Sequence, residues 1–260
     1  MSDHDISAFF NELSNITADL PCKRELCAKC RRPVAVCWCA YLPSSPLQVA
    51  CKVIILQHPG EVKRNLRTAP MLEAALAADK CVTFRGRRFS WERQGAFQDT
   101  VSGSLRDTLV LYPGPDAQDI ETLPTVVERS GRGYNLIVLD GTWSQARSLF
   151  FNSPQLHGLK QVQINPNKTS DYVIRTQPTQ ECLSTVETVA YALSVLEDKP
   201  ELQEVLTRPL HALCQFQLQH GAVTHHSKEF LIQNGMYKKP LPRRIVHRLA
   251  RNEDLKDALR

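Results

Sequence analysis

A chain of 260 residues, 42% of them hydrophobic, holds one large domain, or one with a small appendage, and is too apolar for global disorder. Its apolar runs fall short of the roughly 18–20 residues a membrane span needs. The acidic start, MSDHDISAFFNELSN, lacks a basic n-region and a long apolar core, so no signal peptide and an intracellular protein are expected; the net charge of +5 leaves nucleic acid open as a partner.

In chain order, residues 1–21 read as a polar, partly helical leader. Residues 22–43 form a compact Cys/Pro segment, and Ser44-Ser45-Pro46 is a natural linker. The β-branched run LQVACKVIILQ (47–57) predicts a buried strand. TAPMLEAALAA (68–78) predicts a helix capped by Thr68, with Pro70 in its first turn and Glu73 supporting the start. CVTFRGRRF (81–89) and TLVLYPG (108–114) read as strands, and LPTVVERSG (123–131) as a short helix closed by Gly131. YNLIVLD (134–140) is a third core strand, and TWSQARSLFFN (142–152) a helix with Trp143, Ala146 and Phe150 on one face. LKQVQIN (159–165) is a further strand. STVETVAYALSVLED (184–198) is the clearest helix, with Ser184 and Glu187 forming a capping box. Residues 200–221 continue as helix, expected to break before Pro209.

Buried strands alternating with helices predict an α/β fold, a parallel or mixed sheet covered on both faces. In such sheets ligands bind beyond the carboxyl ends of strands. Asp140 ends one strand, and Tyr112-Pro113-Gly114 ends another.

Five of nine cysteines fall between Cys22 and Cys39. In a reducing compartment that density points to metal rather than disulfides. Cys27, Cys30, Cys37 and Cys39 make two close pairs, a ligand set that closes a tetrahedral structural zinc site and supplies folding energy to a segment with little core. An iron–sulfur cluster or a redox pair stays open. Cys22 is a spare thiol, and Cys51, Cys81, Cys182 and Cys214 lie in apolar surroundings as core residues.

The charge is concentrated at the end. Residues 238–260 hold eight Lys/Arg against three acids, a net +5, and Arg85-Gly86-Arg87-Arg88 forms a second basic knot. Clustered cations are the footprint of a nucleic-acid binder or simply a solubilising tail.

The cysteine segment, Gln57-His58-Pro59-x-Glu61, Thr68-Ala69, Tyr112-Pro113, Asp140-Gly141-Thr142-Trp143 and Leu183-Ser184-Thr185-x-Glu187 occur in one order. That order resembles the DTW-domain proteins, a family of tRNA-uridine aminocarboxypropyltransferases, over roughly residues 22–225. The resemblance implies a SPOUT-like, knotted, mostly parallel sheet covered by helices, spanning 47–235, behind the N-terminal four-cysteine zinc segment. Residues 236–260 form a basic tail. Proteins of the knotted fold often dimerise, and monomer and homodimer both stay open. The resemblance also implies S-adenosylmethionine as donor. Its 3-amino-3-carboxypropyl arm goes to N3 of a tRNA uridine, giving acp3U and methylthioadenosine.

On that reading Asp140 is the base that takes the uridine N3 proton, with Thr142 and Trp143 beside it. Without the resemblance, Asp140 reads as the helix cap and Trp143 as a core residue. Leu111, Tyr112, Pro113 and Leu139, with Leu183, Ser184, Thr185 and Glu187, are the expected donor contacts. Arg31, Arg32, His58, Lys63, Arg85, Arg87, Arg88, Lys238, Lys239, Arg243 and Arg244 are the expected tRNA contacts; Arg64 and Arg67 lie near enough to join them. The rival readings are an RNA methyltransferase using the same donor, and a zinc-dependent RNA-binding protein without catalysis. The cytoplasm, the nucleus or both are the expected compartments.

Overall fold

A computed structural model of the chain describes residues 24–90, 95–165 and 169–240. Cys22, the leader before residue 24 and the tail from residue 241, with Arg243 and Arg244, lie outside the described residues. The chain divides into two compact units, 1–37 and 38–260.

The first unit is built from turns. Leu26 and Pro33 bridge antiparallel, and between them Arg31 takes a left-handed conformation (φ 62°). The Cys27 N–H donates to the Arg32 carbonyl and the Arg31 N–H to the Cys27 carbonyl. A single 3-10 turn follows at Val34–Val36.

The second unit is an α/β sandwich. Its six strands are β1 (Lys52–Gln57), β2 (Cys81–Arg85), β3 (Thr108–Leu111), β4 (Gln118–Asp119), β5 (Asn135–Asp140) and β6 (Lys160–Gln163). They pair in the order β2-β1-β5-β3-β6-β4, and every pairing is parallel. The neighbouring interior strands β1 and β5 are almost wholly buried, which is why they read as unbroken apolar runs instead of alternating ones.

The helices are α1 (Ala69–Ala75), α2 (Gly95–Ser102), α3 (Trp143–Phe151), α4 (Pro154–His157), α5 (Thr185–Leu196), α6 (Glu201–Gln219) and α7 (Lys228–Gln233). Ile54, Leu56, Val110 and Ile137 on one sheet face pack with Phe97 and Val101 of α2, Leu149 and Phe150 of α3 and Leu156 of α4. The opposite face carries α1 and α5, with α6 packed against both. Gly133 admits β5 into the centre, because a Cβ there would lie 2.1 Å from the Ala50 carbonyl oxygen. The Glu197 carboxylate, buried at the end of α5, accepts from the N–H groups of Ala50 and Cys51 just before β1. Among the described residues no helix is long and apolar enough to cross a membrane.

Four expectations change. Residues 123–131 make one turn in place of a helix: Thr125 and Glu128 cap each other, Arg129 N–H donates to the Thr125 carbonyl, and Gly131 (φ 84°) ends it. Residues 200–221 do not break at Pro209, since α6 runs through it. The apolar stripe Leu202, Leu206, Leu210 and Leu213 is buried, and this packing outweighs the one hydrogen bond proline omits. Thr68 does not cap α1; its hydroxyl accepts from the Val186 N–H of α5 (3.4 Å). Glu73 accepts from the Thr83 hydroxyl of β2 and so does not serve the helix start.

Candidate active site

The carboxyl ends of β5, β3 and β6, with Glu61 of the turn after β1, open into one cleft of about 1260 Å³. The chain runs from β1 outward to β2 and then returns to β3, leaving a gap that β5 fills later. Ligand clefts in open parallel sheets form at such reversals.

Asp140 is the last residue of β5 and is 4% exposed. Its Oδ2 accepts from Gln57 Nε2 at 2.8 Å and its Oδ1 from the Thr185 hydroxyl at 2.8 Å. Gln57 is its register partner on β1, and Thr185 is the first residue of α5. The carboxylate is therefore not spent on helix amides. Thr142 caps α3: its hydroxyl accepts from the Gln145 N–H (3.3 Å), and its own N–H donates to Gln145 Oε1 (2.8 Å). Gly141 is required beside it, since a Cβ there would stand 2.9 Å from Gln145 Cβ. With Thr142 capping, Asp140 is available to the cleft, which it lines.

Trp143 begins α3 and is 47% exposed on the cleft wall, whereas Phe150 of the same helix is buried. The expected shared face is thus divided between cleft and core. Tyr112 stacks on Phe150, with ring centroids 4.2 Å apart and planes 11° apart. Leu111, Tyr112, Pro113 and Leu139, and Leu183, Ser184 and Thr185, all line the cleft.

Glu187 does not join them. It is buried, and its carboxylate takes the Ser184 N–H (2.8 Å), the Ser184 hydroxyl (2.6 Å), the Ser170 hydroxyl (2.9 Å) and the Asp171 N–H (2.7 Å). It ties the 170–172 segment to the start of α5, and Tyr172 of that segment is a cleft wall. Tyr172 in turn donates its hydroxyl to the Leu66 carbonyl, and burial pushes that phenol up to about 12.

Glu61, Arg67 and Arg175 also line the cleft. Glu61 ends the 3-10 turn Pro59–Glu61 directly after β1 and is 2% exposed. Burial pushes its carboxyl above the ordinary range, against the pull of Arg64; the Asp140 charge raises it further, and Arg175 and His58 lower it. A carboxylate shortly past a Gln-His step offers one sequence signal, the polar Gln57 at the tip of an otherwise apolar strand. Nothing in spacing alone marks Arg175 or Tyr172.

Among the expected nucleic-acid contacts, His58 is the cap of that short turn, its Nδ1 accepting from the Gly60 N–H (3.1 Å). Lys63, Arg85, Arg87, Arg88, Lys238 and Lys239 lie off the cleft lining. Arg85 still belongs to the same strand-end edge, because Gln57 is the register partner of both Arg85 and Asp140. Two strand spacings put Arg85 about 10 Å from Asp140. Arg31 is exposed, and Arg32 donates its Nε to the Val36 carbonyl (3.1 Å).

The thiols of Cys27, Cys30, Cys37 and Cys39 all lie within 4.8 Å of one another, the one such group of potential metal ligands among the described residues. Four sulfurs at about 2.3 Å from a tetrahedral zinc stand about 3.8 Å apart, so the set fits that ion. Hydrogen bonds from the backbone amides of Cys30 and Lys29, then the Cys37 thiol, lower Cys27 to about 6. Cys51 and Cys81 are buried, and burial pushes both to about 12, as expected of core thiols. Cys182 is a correction: it is half-buried, contacts the Thr179 hydroxyl (3.1 Å) and lines the cleft instead of the core.

The DTW-domain profile matches residues 24–218. The chain belongs to the DTW-domain family. Within it, this DTW-domain chain is 49% identical over 241 residues to the Drosophila melanogaster protein named tRNA-uridine aminocarboxypropyltransferase 2, covering 93% of this chain and 94% of that one. The Mus musculus protein of the same name is 47% identical over 221 residues, 85% of this chain and 73% of its own. The Arabidopsis thaliana tRNA-uridine aminocarboxypropyltransferase A is 26% identical over 218 residues, 75% of this chain and 81% of its own. No solved structure matches.

Proposed function

We propose that this protein transfers the 3-amino-3-carboxypropyl group of S-adenosylmethionine to N3 of a tRNA uridine. The names its relatives carry support the reaction class, and one observation carries the mechanism. Asp140 is a buried carboxylate at the central strand tip, aimed by Gln57 and Thr185 and not consumed as a cap. Uridine N3 is protonated at neutral pH and inert until that proton leaves. Asp140 accepts it as N3 attacks the Cγ carbon of the donor. The Cγ–S bond breaks, its electron pair stays on sulfur, and methylthioadenosine departs. The cleft's task is to present Cγ, not the methyl, to the nucleophile, which is catalysis by positioning.

Trp143, exposed on the cleft wall, suits stacking on an extruded base. Arg85, Arg87 and Arg88 at the neighbouring strand end, and Arg67 in the cleft, suit phosphates. The basic tail and Arg31 and Arg32 are further tRNA contacts in this reading. Zinc would be held by Cys27, Cys30, Cys37 and Cys39; four thiolates leave no open position, so its contribution is structural. The chain path is read as SPOUT-like and knotted on the strength of the family resemblance and the parallel sheet. The cytoplasm, the nucleus or both are the proposed site of action.

The test is incubation with bulk tRNA and carboxyl-labelled S-adenosylmethionine, followed by mass analysis of nucleosides. Wild type should add the aminocarboxypropyl mass to uridine and release methylthioadenosine. Asp140→Asn should lose about 100-fold or more in rate while keeping donor affinity. Transfer of a methyl group alone would establish the methyltransferase reading. Binding of tRNA without any turnover would leave an RNA-binding protein.

A further inference from the structure

Glu61 is a buried acid with one partially exposed partner. Its Oε1 lies 3.2 Å from Arg64 Nε, an ion pair without hydrogen-bond geometry, and the Arg64 side chain is 40% exposed. Buried charge is costly unless a desolvated cation meets it. Arg175 presents the opposite case. It is half-buried on the same cleft and makes no ion pair among the described residues. Arg175 is near enough to lower the Glu61 carboxyl, and both line one cleft, so a ligand between them would present a cation to Glu61 and an anion to Arg175.

We propose that Glu61 and Arg175 hold the two ends of the donor's amino-acid head, Glu61 the α-ammonium and Arg175 the α-carboxylate. This deepens the donor reading and rests on it. The head matters more here than in methyl transfer, because it travels with the transferred carbon. Fixing it fixes Cγ, the atom that must meet N3. The sulfonium is a poor alternative partner for Glu61. Its charge vanishes as the C–S bond breaks, so a carboxylate there would stabilise the ground state over the transition state. The ammonium keeps its charge throughout.

The experiment measures equilibrium binding of three probes: S-adenosylmethionine, its decarboxylated form, which keeps the amine, and methylthioadenosine, which lacks the head. Glu61→Gln should weaken the first two by about 10- to 100-fold, as expected for a charge-assisted contact, and leave methylthioadenosine within about twofold. Arg175→Gln should weaken S-adenosylmethionine and leave the other two unchanged. Equal loss for all three probes with Glu61→Gln, or no loss at all, overturns the assignment of Glu61. Loss of decarboxylated donor with Arg175→Gln overturns that of Arg175. Should Glu61→Gln not fold, Glu61→Asp serves, with a smaller loss confined to the two amine-bearing probes. A wild-type protein that binds methylthioadenosine and S-adenosylmethionine equally overturns the pair, and one that binds neither overturns the donor reading itself.

Discussion

Asp140 and Glu61 are two acids on one cleft with opposite circumstances. Asp140 has both oxygens matched by hydrogen bonds, from Gln57 and Thr185; Glu61 Oε1 has only an ion pair with the partly exposed Arg64 and no hydrogen bond. The Glu61 carboxyl is raised by burial first, so its ionised form costs folding free energy. The sign follows from linkage. Below the ordinary carboxylate range Glu61 is neutral in both folded and unfolded chains and costs nothing as a charge. As pH rises toward the raised value, the unfolded chain ionises first and stability falls. Glu61→Gln should therefore raise the melting temperature at pH 8 and shift it far less at pH 4, as thermal unfolding at the two pH values would show. An unchanged or lowered melting temperature at pH 8 would mean Arg64 already compensates the charge. The same residue scale shows where sequence reasoning stopped. The motif around Asp140 was legible, but its helix-cap role and its acid role compete on paper. In the structure Thr142 takes the cap through Gln145, and the Asp140 carboxylate goes to Gln57 and Thr185 instead.

At the scale of elements, the start of α5 does two jobs. Thr185 steadies Asp140, and Glu187 gathers four donors from Ser184, Ser170 and Asp171. The capping box was readable from Ser184 and Glu187 alone. Its second half, the hold on the 170–172 segment, was not, because those residues meet only through the fold. Glu187→Ala should cost about 2–4 kcal/mol by stranding these buried donors. It should also raise the KM for S-adenosylmethionine by loosening the Tyr172 wall. Denaturant unfolding and steady-state kinetics check both, and a stability loss without a KM change would confine Glu187 to capping. Helix α6 makes the complementary point. Proline at 209 predicts a break from local rules, and buried leucines on the surrounding turns override it.

Across the whole molecule, two properties are testable without reference to turnover. The cysteine set predicts about one zinc per chain. Metal analysis should find it, and a strong chelator should lower the melting temperature; Cys30→Ala should lose the zinc and lower the melting temperature likewise. Phosphate contact by the basic edge predicts that replacing Arg85, Arg87 and Arg88 by Gln flattens the salt dependence of tRNA binding, lowering the log–log slope by about 2. An unchanged slope would remove that edge from the interface. The α/β class, the buried strands, the cysteine cluster and the strand-end aspartate were all determined by the sequence, because each depends on local period, spacing or residue chemistry. The strand order, the unbroken α6 and the company Asp140 keeps were decided by tertiary structure. Gln57, Glu61, Asp140, Arg175 and Thr185 are scattered over more than a hundred positions. What brings them together at the cleft and just beneath it is the parallel register of β1 with β5 and the docking of α5 beside their tips, long-range pairings that no local pattern encodes.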